Sequence, residues 1–340
     1  MTNFADVMIK GEITIAVNLE AGGRLPAAKV VYHTSHNKYS PELPVVWICH
    51  ALTANSDPED WWPEVVGEGK VLDTRKNFVV CVNMLGSPYG SESPASINPD
   101  TGKPWLLDFP KLTLRDMIPA FEAVRKHLGI KKINKLIGSS SGGFQAIEWA
   151  VAKPEIFEHC YFMATAPRES PYLGATLENQ RMALEADPSF REAKGLEGGA
   201  AGLKCARAQA VLSYRSFRCY GLTQGETDED TLFAGRVASY ERHQGDKLVK
   251  RGFDAYSYYN LCNQIDSNNV GRGRGGVQAA LGRINSDVTV VAIDTDQIFP
   301  PEEGKVWAGW IPRARFIVIS SDYGHDGFLL ETAKLNAILL

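Results

Sequence analysis

The sequence lacks any apolar stretch that could span a bilayer, because no run approaches the roughly 20 consecutive apolar residues that a membrane helix needs. It has no excess of basic residues either, since 36 Lys and Arg against 40 Asp and Glu leave a formal net charge of −4. A nucleic-acid partner is therefore not expected, because no basic stripe is available to neutralise phosphates. Residues 1–12 show no basic segment followed by an apolar one, so no secretory signal is visible.

The six cysteines form no C-x-x-C pair and no regular spacing; they are Cys49, Cys81, Cys160, Cys205, Cys219 and Cys262. This scatter predicts neither a disulfide framework nor a zinc site. We expect a cytoplasmic protein with no membrane association, no metal ion and no permanently bound cofactor.

What the sequence does contain is alternation of short strands and helices. Two alternating segments within residues 7–32 predict an antiparallel hairpin. Continuous apolar runs without alternation then predict central strands buried on both faces, at residues 45–52, 78–85, 133–139, 158–166, 288–294 and 315–321. Residues 113–130 have helical spacing, with Thr113 or Asp116 as an entry cap and Gly129 near the exit. The predicted class is α/β with a mostly parallel sheet flanked by helices.

Residues 168–280 interrupt this alternation, since they are polar, helical in pattern and without a convincing buried strand. At 340 residues the chain is long for one core, and an insertion is expected. We predict a core domain of residues 1–167 and 281–340, and a helical lid domain of residues 168–280 that folds over the carboxyl edge of the sheet.

The segment KLIGSSSGGFQAIEWA carries the first chemical signal. Only Ser140 among its three serines has glycine at both −2 and +2, as the G-x-S-x-G nucleophile elbow requires. The predicted strand before it and helix after it are the context in which this turn presents a reactive hydroxyl above a sheet.

A serine nucleophile needs a histidine base, and the base needs an orienting carboxylate. Of the three histidines after Ser140, His159 lies at the start of a strand and His243 in the polar insertion. His325 follows a strand in the loop SDYGHDGF and is predicted to be the base.

For the acid, Asp294 and Asp296 compete at the end of the preceding strand. We favour Asp296, which lies further into the loop. The order Ser, Asp, His is that of α/β-hydrolase folds, and it argues against a catalytic role for His50, which we interpret as a loop-shaping residue. The expected oxyanion donors are the backbone N–H groups of Ser141 and Leu52.

The chain also resembles the homoserine O-acetyltransferase family, an acyltransferase branch of the α/β-hydrolase superfamily. The likeness runs in order through nearly the whole chain, at residues 50–53, 83–90, 96–104, 108–110, 115–117, 179–181, 240–247, 271–276 and 321–328. The family elbow usually reads Gly-Gly-Ser-Met-Gly-Gly, so Ser141 stands here where a methionine is usual.

The resemblance implies an acyl transfer from acetyl-CoA to the hydroxyl of L-homoserine, in methionine biosynthesis, through a triad of Ser140, Asp296 and His325. It further implies that Arg207, Tyr214 and Asp326 bind the amino-acid acceptor, and that the protein is a homodimer formed through the lid helices. A guanidinium suits the acceptor carboxylate and a carboxylate suits its ammonium group.

Other functions stay open at this point. The same fold could use succinyl-CoA or another hydroxylated acceptor such as serine, it could be an esterase or thioesterase, or it could be a binding protein without catalysis. The glycine-rich segment 271–276 follows no predicted strand, so a dinucleotide site is not expected there and a loop-shaping or pocket-wall role is favoured.

Overall fold

The computed structural model describes residues 7–192 and 194–340. Within them one eight-stranded sheet has the order β1-β2-β4-β3-β5-β6-β7-β8. The strands are β1 Ile9–Asn18, β2 Arg24–Thr34, β3 Val45–Cys49, β4 Phe78–Val82, β5 Ile133–Ser139, β6 Phe157–Met163, β7 Asp287–Ile293 and β8 Ala314–Ile319. The β1–β2 and β2–β4 pairs are antiparallel and the other five pairs are parallel. The predicted hairpin and mostly parallel sheet are confirmed.

The helices fill the intervals between these strands. They are α1 Pro58–Trp61, α2 Met117–His127, α3 Ser141–Ala152, α4 Pro171–Glu185, α5 Ser189–Glu192, α6 Ala200–Tyr214, α7 Phe217–Gln224, α8 Gly235–Lys250, α9 Ala255–Asp266, α10 Val277–Leu281, α11 Pro301–Ala308, α12 Gly327–Leu330 and α13 Thr332–Leu339. Thr113 and Asp116 form a reciprocal capping box before α2, and Gly129 follows that helix with a φ of 73°. No helix in the described part of the chain is long and apolar enough to cross a membrane.

The middle of the sheet is buried because helices cover both of its faces. Strands β3 and β4 are buried at every position. Trp47 on β3 packs edge-on against Trp149 of α3, with ring centroids 4.9 Å apart, and Phe121 of α2 joins the same contact. This packing fixes α3, the helix that follows Ser140, against the sheet.

Strand β8 departs from the prediction of a central strand buried on both faces. Among the described strands it pairs only with β7 and forms the edge of the sheet, where Val318 remains 47% exposed. The prediction was wrong for this strand, because a short run rich in Val and Ile does not distinguish an edge position from a central one.

A helical insertion of α4 to α10 separates β6 from β7, and its two ends are paired with each other. The N–H of Glu169 donates to the carbonyl oxygen of Asn268 (2.8 Å), and the N–H of Val270 donates to that of Pro167 (3.0 Å). The side-chain amide of Asn268 also donates to the carbonyl oxygen of Ala166, at 3.2 Å. We call these paired segments, residues 166–169 and 268–270, the neck.

The glycine-rich segment 271–276 lies just after the neck and is tied to the core by its arginines. Arg272 Nη2 lies 2.6 Å from a carboxylate oxygen of Glu20, and Arg274 Nη1 lies 2.8 Å from one of Glu148 on α3. Glu148 is buried, so its charge needs this partner. These ion pairs fix the segment against the core.

Candidate active site

Ser140 occupies a strained turn between β5 and α3. Its φ of 54° and ψ of −128° are angles that residues other than glycine seldom adopt. Two hydrogen bonds to the end of β6 and the loop after it hold the turn: the Ser140 N–H donates to the carbonyl of Met163 (3.0 Å), and the Thr165 hydroxyl donates to the Ser140 carbonyl (2.8 Å). The backbone of Ser140 is thereby fixed at the carboxyl end of the strand.

The glycines around Ser140 are required by close backbone contacts. A Cβ on Gly142 would lie 2.1 Å from the carbonyl oxygen of Cys49, and a Cβ on Gly138 would lie 2.4 Å from the carbonyl oxygen of Gly142. Both distances are far below van der Waals contact, so α3 can start this close to β3 and β5 only with glycine at these positions.

The structure brings Ser140, His325 and Asp296 into one hydrogen-bonded chain. His325 Nε2 lies 2.8 Å from Ser140 Oγ, and His325 Nδ1 lies 2.8 Å from Asp296 Oδ2. The other carboxylate oxygen, Asp296 Oδ1, accepts hydrogen bonds from the N–H groups of Ile298 (2.8 Å) and Phe299 (3.1 Å). With Nδ1–H donating to Asp296, the lone pair of Nε2 faces the serine hydroxyl, which is the arrangement that a general base needs.

The electrostatic surroundings of His325 favour its protonated form. Burial by itself opposes the charge, but the Asp296 carboxylate, its hydrogen bond to Nδ1 and the nearby Asp326 charge outweigh burial and raise the pKa of His325. Because a base must be neutral to accept a proton, any activity that uses His325 will fall as the pH drops through this raised pKa.

The residues that competed for these positions make other contacts. Asp294 Oδ1 accepts from the N–H of Ser321 at 2.8 Å and so fixes the loop after β8. His159 Nε2 lies 2.8 Å from the hydroxyl of Thr289 within the sheet, and His243 is exposed on α8.

His50 is fully buried beside the elbow and shapes the loop after β3, as predicted. Its Nδ1–H donates to the carbonyl of Ala51 (2.9 Å), and its Nε2 accepts from the N–H of Met84 (3.0 Å). Burial lowers the pKa of His50 to about 4, although the Ala51 contact opposes this shift, so the ring is neutral and links two loops.

A cavity of about 30 Å³ lies above Ser140. It is lined by Leu52, Ser140, Ser141, Phe144, Leu173, Thr176, Leu177, Gln180, Tyr214, Ile265, Ile298, Phe299 and His325. Both predicted oxyanion residues are among them. Ser141 is the first residue of α3, so its N–H has no acceptor within the helix and is free to face the cavity.

The side chain of Ser141 adds a second polar group to this wall. It is buried, and its hydroxyl has no hydrogen-bond partner among the residues that the structure describes.

The three residues implied for the acceptor lie in different positions relative to the cavity. Tyr214 lines it, with its ring centroid 5.6 Å from that of His325. Arg207 lies behind Tyr214, its guanidinium carbon 5.6 Å from the tyrosine ring centroid, and is not among the described residues that line the cavity. Asp326 forms an ion pair with Arg215, whose Nε lies 2.8 Å from Asp326 Oδ2. Sequence reasoning missed Arg215, because no local pattern connects residue 215 to residue 326.

Sequence reasoning also missed the contribution of α4 to the cavity. Leu173, Thr176, Leu177 and Gln180 follow the i, i+3, i+4, i+7 spacing of one helix face, and that face covers Ser140. The spacing was a usable signal, but it is equally typical of a helix that packs only within the insertion.

No group of three or more His, Cys, Asp or Glu side chains within residues 7–192 and 194–340 is arranged to hold a metal ion.

Comparison with known proteins shows the fold and the family of the chain. The profile of the alpha/beta hydrolase fold matches residues 44–332. The chain is 41% identical over 326 residues to the homoserine O-acetyltransferase of Cyclobacterium marinum, covering 95% of this chain and 92% of that protein. The chain belongs to the homoserine O-acetyltransferase family. The relative from Chlorobaculum parvum is 40% identical over 317 residues, which cover 92% of this chain and 88% of that one.

Solved structures of the homoserine O-acetyltransferase family have the same fold. The enzyme from Staphylococcus aureus superimposes with a TM-score of 0.81 at 29% identity, covering 97% of this chain and 94% of that chain. Esterase E22 superimposes with a TM-score of 0.86 at 21% identity, covering 98% of this chain and 99% of that one. Because an esterase has this fold too, the fold does not by itself distinguish transfer from hydrolysis.

Proposed function

We propose that the protein transfers the acetyl group of acetyl-CoA to the hydroxyl of L-homoserine, which yields O-acetyl-L-homoserine and CoA, through an acyl-enzyme on Ser140. The observation that carries this proposal is the Ser140–His325–Asp296 hydrogen-bonded chain at the wall of a cavity, in a protein of the homoserine O-acetyltransferase family. The reaction is a step of methionine biosynthesis.

In the first half-reaction His325 Nε2 takes the proton of Ser140 Oγ as this oxygen attacks the thioester carbonyl. The N–H groups of Leu52 and Ser141 stabilise the oxyanion. The C–S bond then breaks, and the imidazolium returns its proton to the leaving thiolate. Ser140 is left acetylated and His325 neutral.

In the second half-reaction the acceptor hydroxyl occupies the place of the departed thiol. His325 removes its proton as the oxygen attacks the acetyl-serine carbonyl, and the bond to Ser140 Oγ breaks. The proton passes from His325 to Ser140, which restores the free enzyme. Arg207, Tyr214 and Asp326 are proposed to orient the acceptor, with its carboxylate towards the guanidinium and its ammonium group towards Asp326.

The cavity favours acetyl over succinyl as the transferred group. None of its described lining residues is a lysine or arginine. A succinyl carboxylate would be buried there without a cationic partner, which costs several kcal/mol.

We further propose that residues 168–280 act as a lid that keeps water away from the acyl-enzyme. Leu173, Leu177 and Tyr214 of this segment cover Ser140, and the neck joins its two ends. An alcohol held in place can outcompete water because orientation raises its effective concentration by several orders of magnitude.

A matrix of acyl donors and acceptors tests this function. Purified protein is incubated with acetyl-CoA or succinyl-CoA, and with homoserine, serine or no acceptor, and CoA and ester products are followed by mass spectrometry. We expect homoserine to speed CoA release from acetyl-CoA at least about tenfold over water alone, because positioning favours the alcohol. Succinyl-CoA should react at least about 100-fold more slowly, because of its unpaired charge.

Equal CoA release with and without any acceptor would identify a thioesterase instead. Faster transfer to serine than to homoserine would reassign the acceptor and leave the acyl-enzyme scheme intact.

A homodimer formed through the helical insertion is also part of this proposal. Large apolar side chains are exposed on α6 and α7, with Phe217 92%, Leu222 66% and Leu212 63% exposed, as is typical of a surface that a second copy of the chain covers. We expect sedimentation velocity to report a dimer, and Phe217→Glu to shift it towards monomer. Val306→Glu, on the exposed face of α11, is the matched control and should stay dimeric. A monomeric wild-type protein would contradict this part.

We propose a cytoplasmic location as well. The six cysteines are all free thiols in the structure, as expected in a reducing compartment.

A further inference from the structure

The junction between α6 and α7 packs directly on the loop that carries His325. The Ser216 hydroxyl donates a hydrogen bond to the carbonyl of Asp322. Gly324 has a φ of 65°, and a Cβ there would lie 2.5 Å from the carbonyl oxygen of Tyr214. Only glycine permits this approach, so the insertion and the histidine loop are built to touch.

One ion pair of this contact reaches the neighbour of the catalytic base. Arg215 Nε lies 2.8 Å from Asp326 Oδ2, and the two side chains are only 22% and 17% exposed. Asp326 directly follows His325 and its negative charge favours the protonated histidine. A second pair, between Arg218 and Asp322 (3.1 Å), lies on the exposed rim of the same junction.

The other titratable groups around the pair come from several elements. His325 faces Asp296 from the β7–α11 loop and Tyr214 from α6. Arg215 contacts Cys219 of α7 through Nη1, with 3.5 Å between Nη1 and the sulfur.

Tyr240 of α8 lies near both members of the Arg215–Asp326 pair, and burial raises the pKa of this phenol, so it stays neutral. The Tyr220 hydroxyl is hydrogen-bonded to Glu241. The guanidinium carbon of Arg207 lies 5.6 Å from the ring centroid of Tyr214.

We propose that Arg215 is a positioning residue for acyl transfer, which acts through Asp326: it holds the His325 loop against the insertion and neutralises the acidic neighbour of the base. The inference rests on the proposed function, because it assigns a role beside His325. No other arginine or lysine of the described chain is ion-paired with Asp326. The insertion thus contributes to the charge balance of the base as well as covering the cavity.

The test uses p-nitrophenyl acetate as the acyl donor, because this ester acylates Ser140 of the free enzyme without needing CoA or an acceptor. The pH dependence of kcat/KM is measured for wild type, Arg215→Gln, Asp326→Asn and the double variant. At low pH kcat/KM falls as His325 becomes protonated, and we call this part of the profile the acid limb. Arg215→Gln removes the positive charge and should move the acid limb to higher pH by at least about half a pH unit. Asp326→Asn removes the negative charge and should move it to lower pH. The double variant, neutral at both positions, should return close to wild type.

Two further variants serve as controls. Arg215→Lys keeps the charge and should keep the wild-type acid limb. Arg218→Gln breaks the exposed pair of the same junction and should not move the limb either.

Shifts of the two single variants in the same direction, or none in either, would overturn the inference. If Arg215→Gln fails to fold, the pH profile of Asp326→Asn is the deciding measurement. An acid limb that stays at the wild-type pH in Asp326→Asn overturns the inference as well. Because the assay is independent of acetyl-CoA and homoserine, a failure of the proposed transfer reaction leaves this test interpretable.

Discussion

Replacing Ser140 with alanine should reduce acetyl transfer by a factor of about 10⁶, because loss of the nucleophile from a triad costs roughly this much in kcat. The hydroxyl lies 2.8 Å from His325 Nε2, so it is the group placed for the histidine to activate. Steady-state CoA release measures the loss. Intact-protein mass spectrometry after mixing with acetyl-CoA alone should show one added acetyl group on the wild type and none on the variant.

The elbow supplies its own control in Ser139, the last residue of β5. Ser139→Ala removes the same atom one position earlier and should retain transfer and acetylation. If Ser140→Ala became acetylated as fast as the wild type, or if Ser139→Ala lost acetylation instead, the acyl-serine scheme would be wrong.

The second large effect is expected from Asp296→Asn, which should lower kcat by about 10⁴-fold, as loss of the orienting carboxylate does in triads. The asparagine amide can donate towards His325 Nδ1, which would then turn Nε2 into a donor facing Ser140. Burial of His325 would remain while its largest stabilising charge is lost, so the pKa of His325 should fall. The residual activity should therefore have its acid limb at lower pH than the wild type, as a pH profile of kcat/KM measures.

Asp294→Asn is the matched control for this substitution. Asp294 Oδ1 accepts from the N–H of Ser321, a contact that an asparagine oxygen can keep, so most activity should survive. A greater loss of kcat in Asp294→Asn than in Asp296→Asn would mean that Asp294, and not Asp296, is the carboxylate that orients His325.

The hydrogen-bonded chain of Ser140, Asp296 and His325 could be predicted from sequence for a physical reason. Each side chain follows a strand, and the carboxyl ends of parallel strands meet at one edge of the sheet. The glycine spacing selected Ser140, and elimination among three histidines selected His325. The choice of Asp296 as the acid had less support, since only its position further along the loop favoured it over Asp294.

What sequence could not supply depends on contacts between distant segments. The pairing of Arg215 with Asp326 joins the insertion to the core, and neither residue type is unusual at its position. The edge position of β8 follows from strand order, which apolar patterning does not encode. Arg207 and Tyr214 were singled out through resemblance alone, because a helical arginine has no distinctive pattern of its own.

The neck has a consequence for how the polypeptide assembles. Strands β6 and β7 are neighbours in the sheet although more than a hundred residues lie between them. The entropy lost on joining distant segments grows only with the logarithm of their separation, at about 0.6 kcal/mol for each doubling. Because the neck pairs the two ends of the insertion, the helices between them can lengthen or diverge in sequence with little change in the free energy of pairing β6 with β7. The helical insertion can change through evolution while the strands that precede Ser140, Asp296 and His325 keep their register.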